Sequence, residues 1–162
     1  MISVIYLDMD GVLANFDKGI REMCGMEPMG QDSNDDDIMW ARAKEAGHFY
    51  DKLEPLPGAI EMYNVLTKIP GVRVEILTGI PKPRRGLDTA GEDKTNWAHR
   101  YLSPYLKVNI VYTEEKPIFV TGKDCVLIDD LKKNIDNWEA MGGTGILHKS
   151  ANETLNILKK LI

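Results

Sequence analysis

Residues 7–16 read LDMDGVLANF, and they directly follow an apolar run that extends from Ile2 to Leu7. Burying that run as a strand places Asp8 at its carboxyl end, where open α/β sheets have their ligand crevice. Asp8 and Asp10 are separated by one residue, and two close carboxylates repel each other unless a cation or a proton lies between them. The stretch therefore predicts a charged site, although Asp and Gly in this order also occur in ordinary β-turns.

The composition is typical of one globular domain. The chain has 162 residues, 43% of them hydrophobic, which suggests one domain with room for a small insertion. The net charge of −5 gives no basic footprint, so we expect no stable nucleic-acid binding. Two cysteines form no disulfide framework, which predicts a cytoplasmic protein. No apolar run has the length of a membrane span or a signal-peptide core, so we expect no membrane partner.

Strand and helix patterns alternate from residue 57 onward. Strands are predicted at 2–7, 72–77, 108–112, 126–128 and 144–147, and helices at 57–68, 92–102, 131–141 and after Ser150. This alternation predicts an α/β fold, with a parallel five-stranded sheet, right-handed crossovers and a Rossmann-like three-layer core.

The region before residue 57 has a different pattern. Residues 17–56 lack strand signals and are predicted to form a small helical cap, which leaves 1–16 and 57–162 as the core domain. Because the cap would emerge directly after the first strand, it would lie above Asp8 and Asp10 as a lid.

An acidic cluster precedes the second predicted helix of this cap, residues 38–46. Asp35, Asp36 and Asp37 would suit the positive end of that helix, exposed to solvent. A calcium loop beginning at Asp32 is disfavoured, because its obligatory glycine position is Asp37.

Polar residues follow several of the predicted strands. Asp8 and Asp10 follow the first, Thr78 ends the second, Lys94 lies on the next helix, and Asp129 and Asp130 follow the fourth. In a parallel sheet these strand ends share one edge. Four carboxylates in one crevice require a divalent metal, and hard oxygen ligands favour Mg²⁺. A lysine and a threonine beside the metal suit a phosphate group, so the set predicts phosphoryl transfer.

This set resembles the motifs of the haloacid dehalogenase superfamily of phosphohydrolases. Asp8-x-Asp10 is similar to the first motif, Thr78 to the second, Lys94 to the third and Asp129-Asp130 to the fourth, in the order that the superfamily has. Within it, four features are similar to the 5′(3′)-deoxyribonucleotidases: DMDGVLANF from Asp8, LEPLPGA from Leu53, Lys94 with Trp97, and LIDD from Leu127.

The resemblance implies a Mg²⁺-dependent phosphomonoesterase that acts on (deoxy)nucleoside monophosphates through an aspartyl-phosphate. Asp8 would be the nucleophile, and Asp10 would protonate the leaving oxygen and then deprotonate the attacking water. The remaining implied roles are Mg²⁺ ligation by Asp8, the Asp10 carbonyl and Asp130, with Asp129 adjacent, and phosphate binding by Thr78, the Gly79 amide and Lys94.

The resemblance also implies where the nucleobase would bind. Phe16 matches the aromatic residue that packs near the base in the family, and Trp40 in the predicted cap is a second candidate. Ordinary aromatic packing explains Phe16 equally well, and it is the favoured explanation for Trp40. Three features depart from the family pattern and affect substrate choice: Asn15 in place of aspartate, Glu114 in place of arginine, and a long basic segment between Thr78 and Lys94.

Two alternatives remain open from the sequence. One is a related phosphatase for a sugar phosphate or a nucleic-acid end, which a short cap permits. The other is a phospho-accepting signalling domain of receiver type, which also places aspartates, threonine and lysine on a parallel sheet. A homodimer is compatible with the sequence, which does not specify the oligomeric state.

Overall fold

The computed structural model describes residues 1–29 and 36–162. Its strands are β1 Val4–Leu7, β2 Arg73–Gly79, β3 Val108–Val111, β4 Cys125–Asp129 and β5 Thr144–Leu147. Its α-helices are α1 Phe16–Cys24, α2 Asp37–Ala46, α3 Ala59–Leu66, α4 Ala90–Tyr101, α5 Lys132–Ala140 and α6 Ala151–Lys159. Three 3-10 helices cover Phe49–Lys52, Pro83–Arg85 and Thr113–Phe119.

The five strands form one parallel sheet in the order β3-β2-β1-β4-β5. This confirms the predicted α/β fold class. The central strand β1 pairs with β2 and β4, and Leu7 lies opposite Ile76 and Ile128. The strand order differs from the 2-1-3-4-5 order of flavodoxin-like folds, to which receiver domains belong. The fold therefore argues against the receiver alternative.

Side chains of β1 alternate between two apolar clusters on opposite faces of the sheet. Ile5 and Leu7 belong to the larger cluster, whereas Val4 and Tyr6 pack in the smaller one, which contains Trp138 of α5. Every residue of β1 is buried, as its continuous apolar run predicts. Burial on both faces fixes the carboxyl end of β1 at the centre of the sheet edge.

The predicted cap begins and ends at the same place on the core. The amide of Asn15 donates to the Glu54 carbonyl at 2.8 Å, and the Leu56 amide donates to the Leu13 carbonyl at 2.8 Å. Between these two ends, α1 packs against α2, and the 3-10 helix Phe49–Lys52 packs against α4. The predicted cap thus leaves the core near Asn15 and returns to it near Leu56, and the two connecting segments are hydrogen-bonded to each other.

Several predicted boundaries differ from the structure. The helix predicted at 57–68 begins at Ala59. Gly58 has φ of +76°, a left-handed conformation that is incompatible with a right-handed helix, so the helix begins after it. The basic segment between Thr78 and Lys94 contains the turn Pro83–Arg85, and α4 begins at Ala90, two residues before the predicted helix 92–102. The 3-10 helix Thr113–Phe119 was not predicted, because it contains Pro117 and lacks a 3.6-residue apolar period. Among the described helices, none has the length and hydropathy to cross a bilayer.

Candidate active site

The turn after β1 is tight and requires a glycine at position 11. The Met9 carbonyl accepts hydrogen bonds from the amides of Leu13 at 2.8 Å and Ala14 at 2.9 Å, which closes the turn tightly. Gly11 has φ of +82°, where residues with a Cβ are strained. A Cβ at this position would also overlap the Asp130 carboxylate. The glycine therefore lets the first turn approach the residue after β4.

Three carboxylates meet at this edge of the sheet. Oxygen atoms of Asp8, Asp129 and Asp130 all lie within 4.8 Å of one another. Burial, together with the charge of Asp129, raises the pKa of Asp8 to about 7. Burial, together with the charges of Asp8 and Asp129, raises the pKa of Asp130 to about 8. The cluster thus has a surplus of negative charge that only a cation or a proton relieves.

Lys116 is the residue that sequence reasoning missed. Its ammonium nitrogen lies 3.0 Å from Oδ1 of Asp8 and 2.8 Å from Oδ2 of Asp129, and the side chain is 3% exposed. Burial disfavours the charged lysine, but the carboxylates of Asp8 and Asp129 outweigh it and raise the pKa of Lys116. The lysine therefore stays charged and holds one oxygen of Asp8 in place.

A topological signal could have identified Lys116. The chain leaves β3 at one side of the sheet and must reach β4, which lies beyond β2 and β1. The 3-10 helix Thr113–Phe119 makes this crossing and packs against β2 and α5. A lysine in a connection that crosses the carboxyl edge of β1 necessarily passes the aspartates there. The resemblance places the third motif at Lys94, which leaves Lys116 without a predicted role.

Asp129 orients its neighbours. Its Oδ1 accepts from the Leu131 amide at 3.0 Å, and its Oδ2 accepts from Lys116 and, at 3.0 Å, from Nδ2 of Asn134. The side chain is fully buried. Because both oxygens already accept hydrogen bonds, Asp129 mainly fixes Lys116, while Asp8 and Asp130 have more ligand capacity for a metal.

Lys94 lies on the opposite side of the site, next to Asp10. Its ammonium nitrogen lies 2.9 Å from Asp10 Oδ2, 2.8 Å from Thr78 Oγ1 and 2.7 Å from the Gly79 carbonyl. These three acceptors match the three N–H donors of a lysine. Oδ1 of Asp10 is buried and has no hydrogen-bond partner among the described residues. Asp10 therefore presents one free oxygen for a proton transfer.

The donor set fits a hard divalent cation. Four carboxylates and two ammonium groups leave two negative charges in excess. Carboxylate oxygens are the ligands that Mg²⁺ prefers in proteins. The group of three carboxylates found among the described residues does not include the side chain of Asp10.

Aromatic rings from the predicted cap, together with Phe16 at the end of the first core segment, continue the site away from the carboxylates. The Lys94 ammonium lies 4.4 Å from the ring centroid of Tyr50, which is 2% exposed. The ring of Phe16 lies 6.4 Å from Tyr50 in a stacked arrangement and 6.0 Å from Trp40. Burial, then the charges of Asp10 and Asp8, raise the pKa of Tyr50. Phe16 and Trp40 are both half-buried, so their faces remain partly accessible beside the charged site.

The acids before α2 behave differently from the prediction. Asp36 is 8% exposed and makes no capping hydrogen bond with its side chain. Its Oδ1 instead accepts from Nη2 of Arg85 at 2.7 Å. The prediction of a solvated capping residue is therefore wrong for Asp36, because its partner is distant in the sequence. Asp32 and Asp35 lie outside the described residues.

The sequence matches a nucleotidase family along nearly its whole length. A sequence model of the family described as "5′ nucleotidase, deoxy (Pyrimidine), cytosolic type C protein" matches residues 2–158. The human cytosolic-type 5′(3′)-deoxyribonucleotidase is 28% identical over 148 residues, covering 78% of this chain and 69% of the human protein. A Vibrio phage KVP40 protein whose name proposes the same activity is 28% identical over 131 residues, covering 81% of this chain and 68% of the phage protein.

The fold is similar to that of solved haloacid dehalogenase-like proteins. One such hydrolase, from Streptococcus pneumoniae, superposes with a TM-score of 0.57 at 12% sequence identity and covers 99% of both chains. At this level of identity, the similarity shows a common fold.

Proposed function

This chain belongs to the family of deoxy (pyrimidine) cytosolic type C 5′-nucleotidases, and we propose that it is a Mg²⁺-dependent phosphomonoesterase of (deoxy)nucleoside monophosphates. Membership of this family identifies the chain as a nucleotidase. The requirement for Mg²⁺, the aspartyl-phosphate intermediate and the range of substrates are what we propose. One observation supports it most strongly. Two aspartates one residue apart have separate lysines, since Lys116 contacts Asp8 and Lys94 contacts Asp10.

In the first step, Asp8 attacks the phosphorus of the substrate. A bond forms between a carboxylate oxygen of Asp8 and phosphorus, and the bond from phosphorus to the ribose oxygen breaks. The leaving oxygen takes a proton from Asp10, so the nucleoside departs as a neutral alcohol. Support comes from Lys116, which holds the other Asp8 oxygen, and from the unpaired Oδ1 of Asp10.

In the second step, a water molecule attacks the aspartyl-phosphate. Asp10 accepts a proton from the water, the bond between phosphorus and Asp8 breaks, and inorganic phosphate leaves. Asp10 is thereby protonated again and Asp8 is again a carboxylate. Each residue has thus returned to its starting state.

The phosphate is bound between the two lysines. We expect Thr78, the Gly79 amide and Lys94 to hold its oxygens, which requires Lys94 to exchange one of its three acceptors for the substrate. Asp8, Asp130 and the Asp10 carbonyl would hold Mg²⁺, with Asp129 adjacent. Bound Mg²⁺ supplies charge neutralisation for the phosphoryl group during transfer.

The aromatic rings favour a nucleotide over a sugar phosphate. Half-buried Phe16 lies next to Tyr50 and next to half-buried Trp40. Because Tyr50 contacts Lys94, a flat base would find apolar faces at the end of the phosphate site. The name of the human relative also supports a nucleotide substrate and a cytoplasmic location. The homodimer remains a prediction, which the mass of the protein in solution tests.

A panel of phosphate monoesters tests this function. Phosphate release is measured for deoxyuridine, deoxythymidine and deoxyguanosine monophosphates, for the matching ribonucleotides, and for sugar phosphates, with Mg²⁺ or with EDTA. We expect hydrolysis of nucleotides above sugar phosphates, loss of activity in EDTA, and none in Asp8→Asn. Preferential hydrolysis of sugar phosphates would favour the related phosphatase instead.

A further inference from the structure

The basic turn Pro83–Arg85 connects the core to the predicted cap through Arg85. Nη2 of Arg85 donates to Asp36 at 2.7 Å, and Nη1 pairs with Asp37 at the start of α2. The side chains of Arg85 and Asp36 are only 12% and 11% exposed. Pairs this well shielded from water depend strongly on both partners, because removing one leaves a poorly solvated charge.

The next residue supports the same connection. Gly86 has φ of +73°, and a Cβ there would lie 2.8 Å from the Lys44 ammonium of α2. The turn and α2 are packed together directly. The chain therefore bends sharply just after Arg85 and stays against the helix that Arg85 binds.

Asp36 also contacts an aromatic residue beside the site. Its Oδ2 accepts a hydrogen bond from Nε1 of Trp40 at 3.2 Å. The Trp40 ring lies 6.0 Å from Phe16, which lies next to Tyr50. One carboxylate thus bridges a core arginine and the indole that forms part of the aromatic surface.

We propose that Arg85 is a positioning residue, whose ion pair with Asp36 holds Trp40 at the nucleobase end of the site. This rests on the proposed nucleotide substrate. Arg85 contacts none of Asp8, Asp10, Lys94 or Lys116. The ion pair between Arg85 and Asp36 therefore affects binding of the base and does not affect phosphoryl transfer. The neighbouring Arg84 is exposed and makes no ion pair with the described residues, which makes it a matched control.

Tryptophan fluorescence tests the proposal without any substrate. The chain has three tryptophans, of which Trp97 and Trp138 are fully buried, so acrylamide quenching mainly reports on half-buried Trp40. We expect Arg85→Met to increase the quenching constant and Arg84→Met to leave it unchanged. The increase should vanish in the double variant Arg85→Met/Trp40→Phe. Unchanged quenching in Arg85→Met, or an increase that persists without Trp40, would overturn the proposal.

Kinetics provide the second test. Arg85→Met should raise KM for a nucleotide on the order of tenfold, with little change in kcat, because a displaced Trp40 ring binds the base less well. Activity on acetyl phosphate, which has no ring to contact Trp40, should match the parent. Equal losses on both substrates would indicate a general structural role and contradict the proposal. Arg85→Lys should restore KM only partly, since lysine lacks the planar fork that reaches two carboxylates.

Asp36→Asn serves as the second variant if Arg85→Met does not fold, since it is nearly isosteric and keeps an oxygen for Trp40. It should give a smaller increase in KM and a smaller rise in quenching than Arg85→Met; parental values for both would overturn the proposal. If the parent hydrolyses p-nitrophenyl phosphate but no nucleotide, the proposed function fails. The quenching result still decides whether Arg85 positions Trp40.

Discussion

The ammonium nitrogen of Lys116 lies 3.0 Å from Oδ1 of Asp8, although 107 residues separate the two in the sequence. The contact spans the sheet edge from the β3–β4 connection to the end of the central strand. It holds the proposed nucleophile in one orientation and keeps a positive charge where the phosphoryl group would arrive. Its removal should therefore affect turnover more than substrate binding.

Lys116→Met should lower kcat by roughly 10²- to 10³-fold, with a smaller change in KM, because a preorganised positive charge at the reacting centre is lost. Steady-state kinetics on a deoxynucleoside monophosphate measure this. Lys123→Met, which changes an exposed lysine a few residues later, is the control and should match the parent. A Lys116→Met variant with parental kcat would show that the contact has no part in the reaction.

Gly11→Ala should destabilise the protein by more than about 2 kcal/mol, because the strained φ and the overlap with Asp130 add together. The variant should also lose stabilisation by Mg²⁺, since Asp130 must move. Thermal unfolding with and without Mg²⁺ measures both effects. Gly142→Ala is the matched control, as Gly142 has φ of +96° but open space around it. If the two variants lose equal stability, the close approach to Asp130 is not what requires the glycine.

The contact between His48 and Asp93 should make stability depend on pH. Nδ1 of His48 lies 2.9 Å from Oδ1 of buried Asp93, and this hydrogen bond raises the pKa of His48. The stabilisation is fully present below the ordinary histidine pKa of about 6.5 and is lost as the pH rises through the higher folded value.

Unfolding temperatures of the parent and of His48→Gln should therefore differ most at acidic pH and converge at alkaline pH. His99→Gln is the control, because the His99 ring contacts a backbone carbonyl and no carboxylate. A difference between the parent and His48→Gln that stays constant across this range would argue against the ion pair.

Local patterns in the sequence predicted the sheet and the residues at its edge. The apolar run before Asp8 is a buried central strand, and Asp129 is the last residue of the neighbouring strand β4, because burial of a strand fixes where its end lies. Thr78 and Lys94 meet as expected. These relationships depend on the parallel direction of the strands, which the alternation of strands and helices reveals.

Contacts made by irregular segments could not be predicted in the same way. Lys116 lies in a 3-10 helix without an apolar period, and its path became clear only from the position of β3 in the sheet. Arg85 and Asp36 are 49 residues apart and belong to segments that the sequence marked as loops. A charge in a loop is usually solvated, so only the packed structure identifies its partner.

Trapping of phosphorylated Asp8 tests the central claim most directly. In Asp10→Asn, p-nitrophenyl phosphate can still transfer its phosphoryl group, because its leaving group needs no proton, whereas hydrolysis of the aspartyl-phosphate lacks its base. After rapid acid quenching, mass spectrometry should find one phosphoryl group on the peptide that contains Asp8, and none in Asp8→Asn/Asp10→Asn. A phosphoryl group on another residue, or its absence during p-nitrophenol release, would contradict the mechanism.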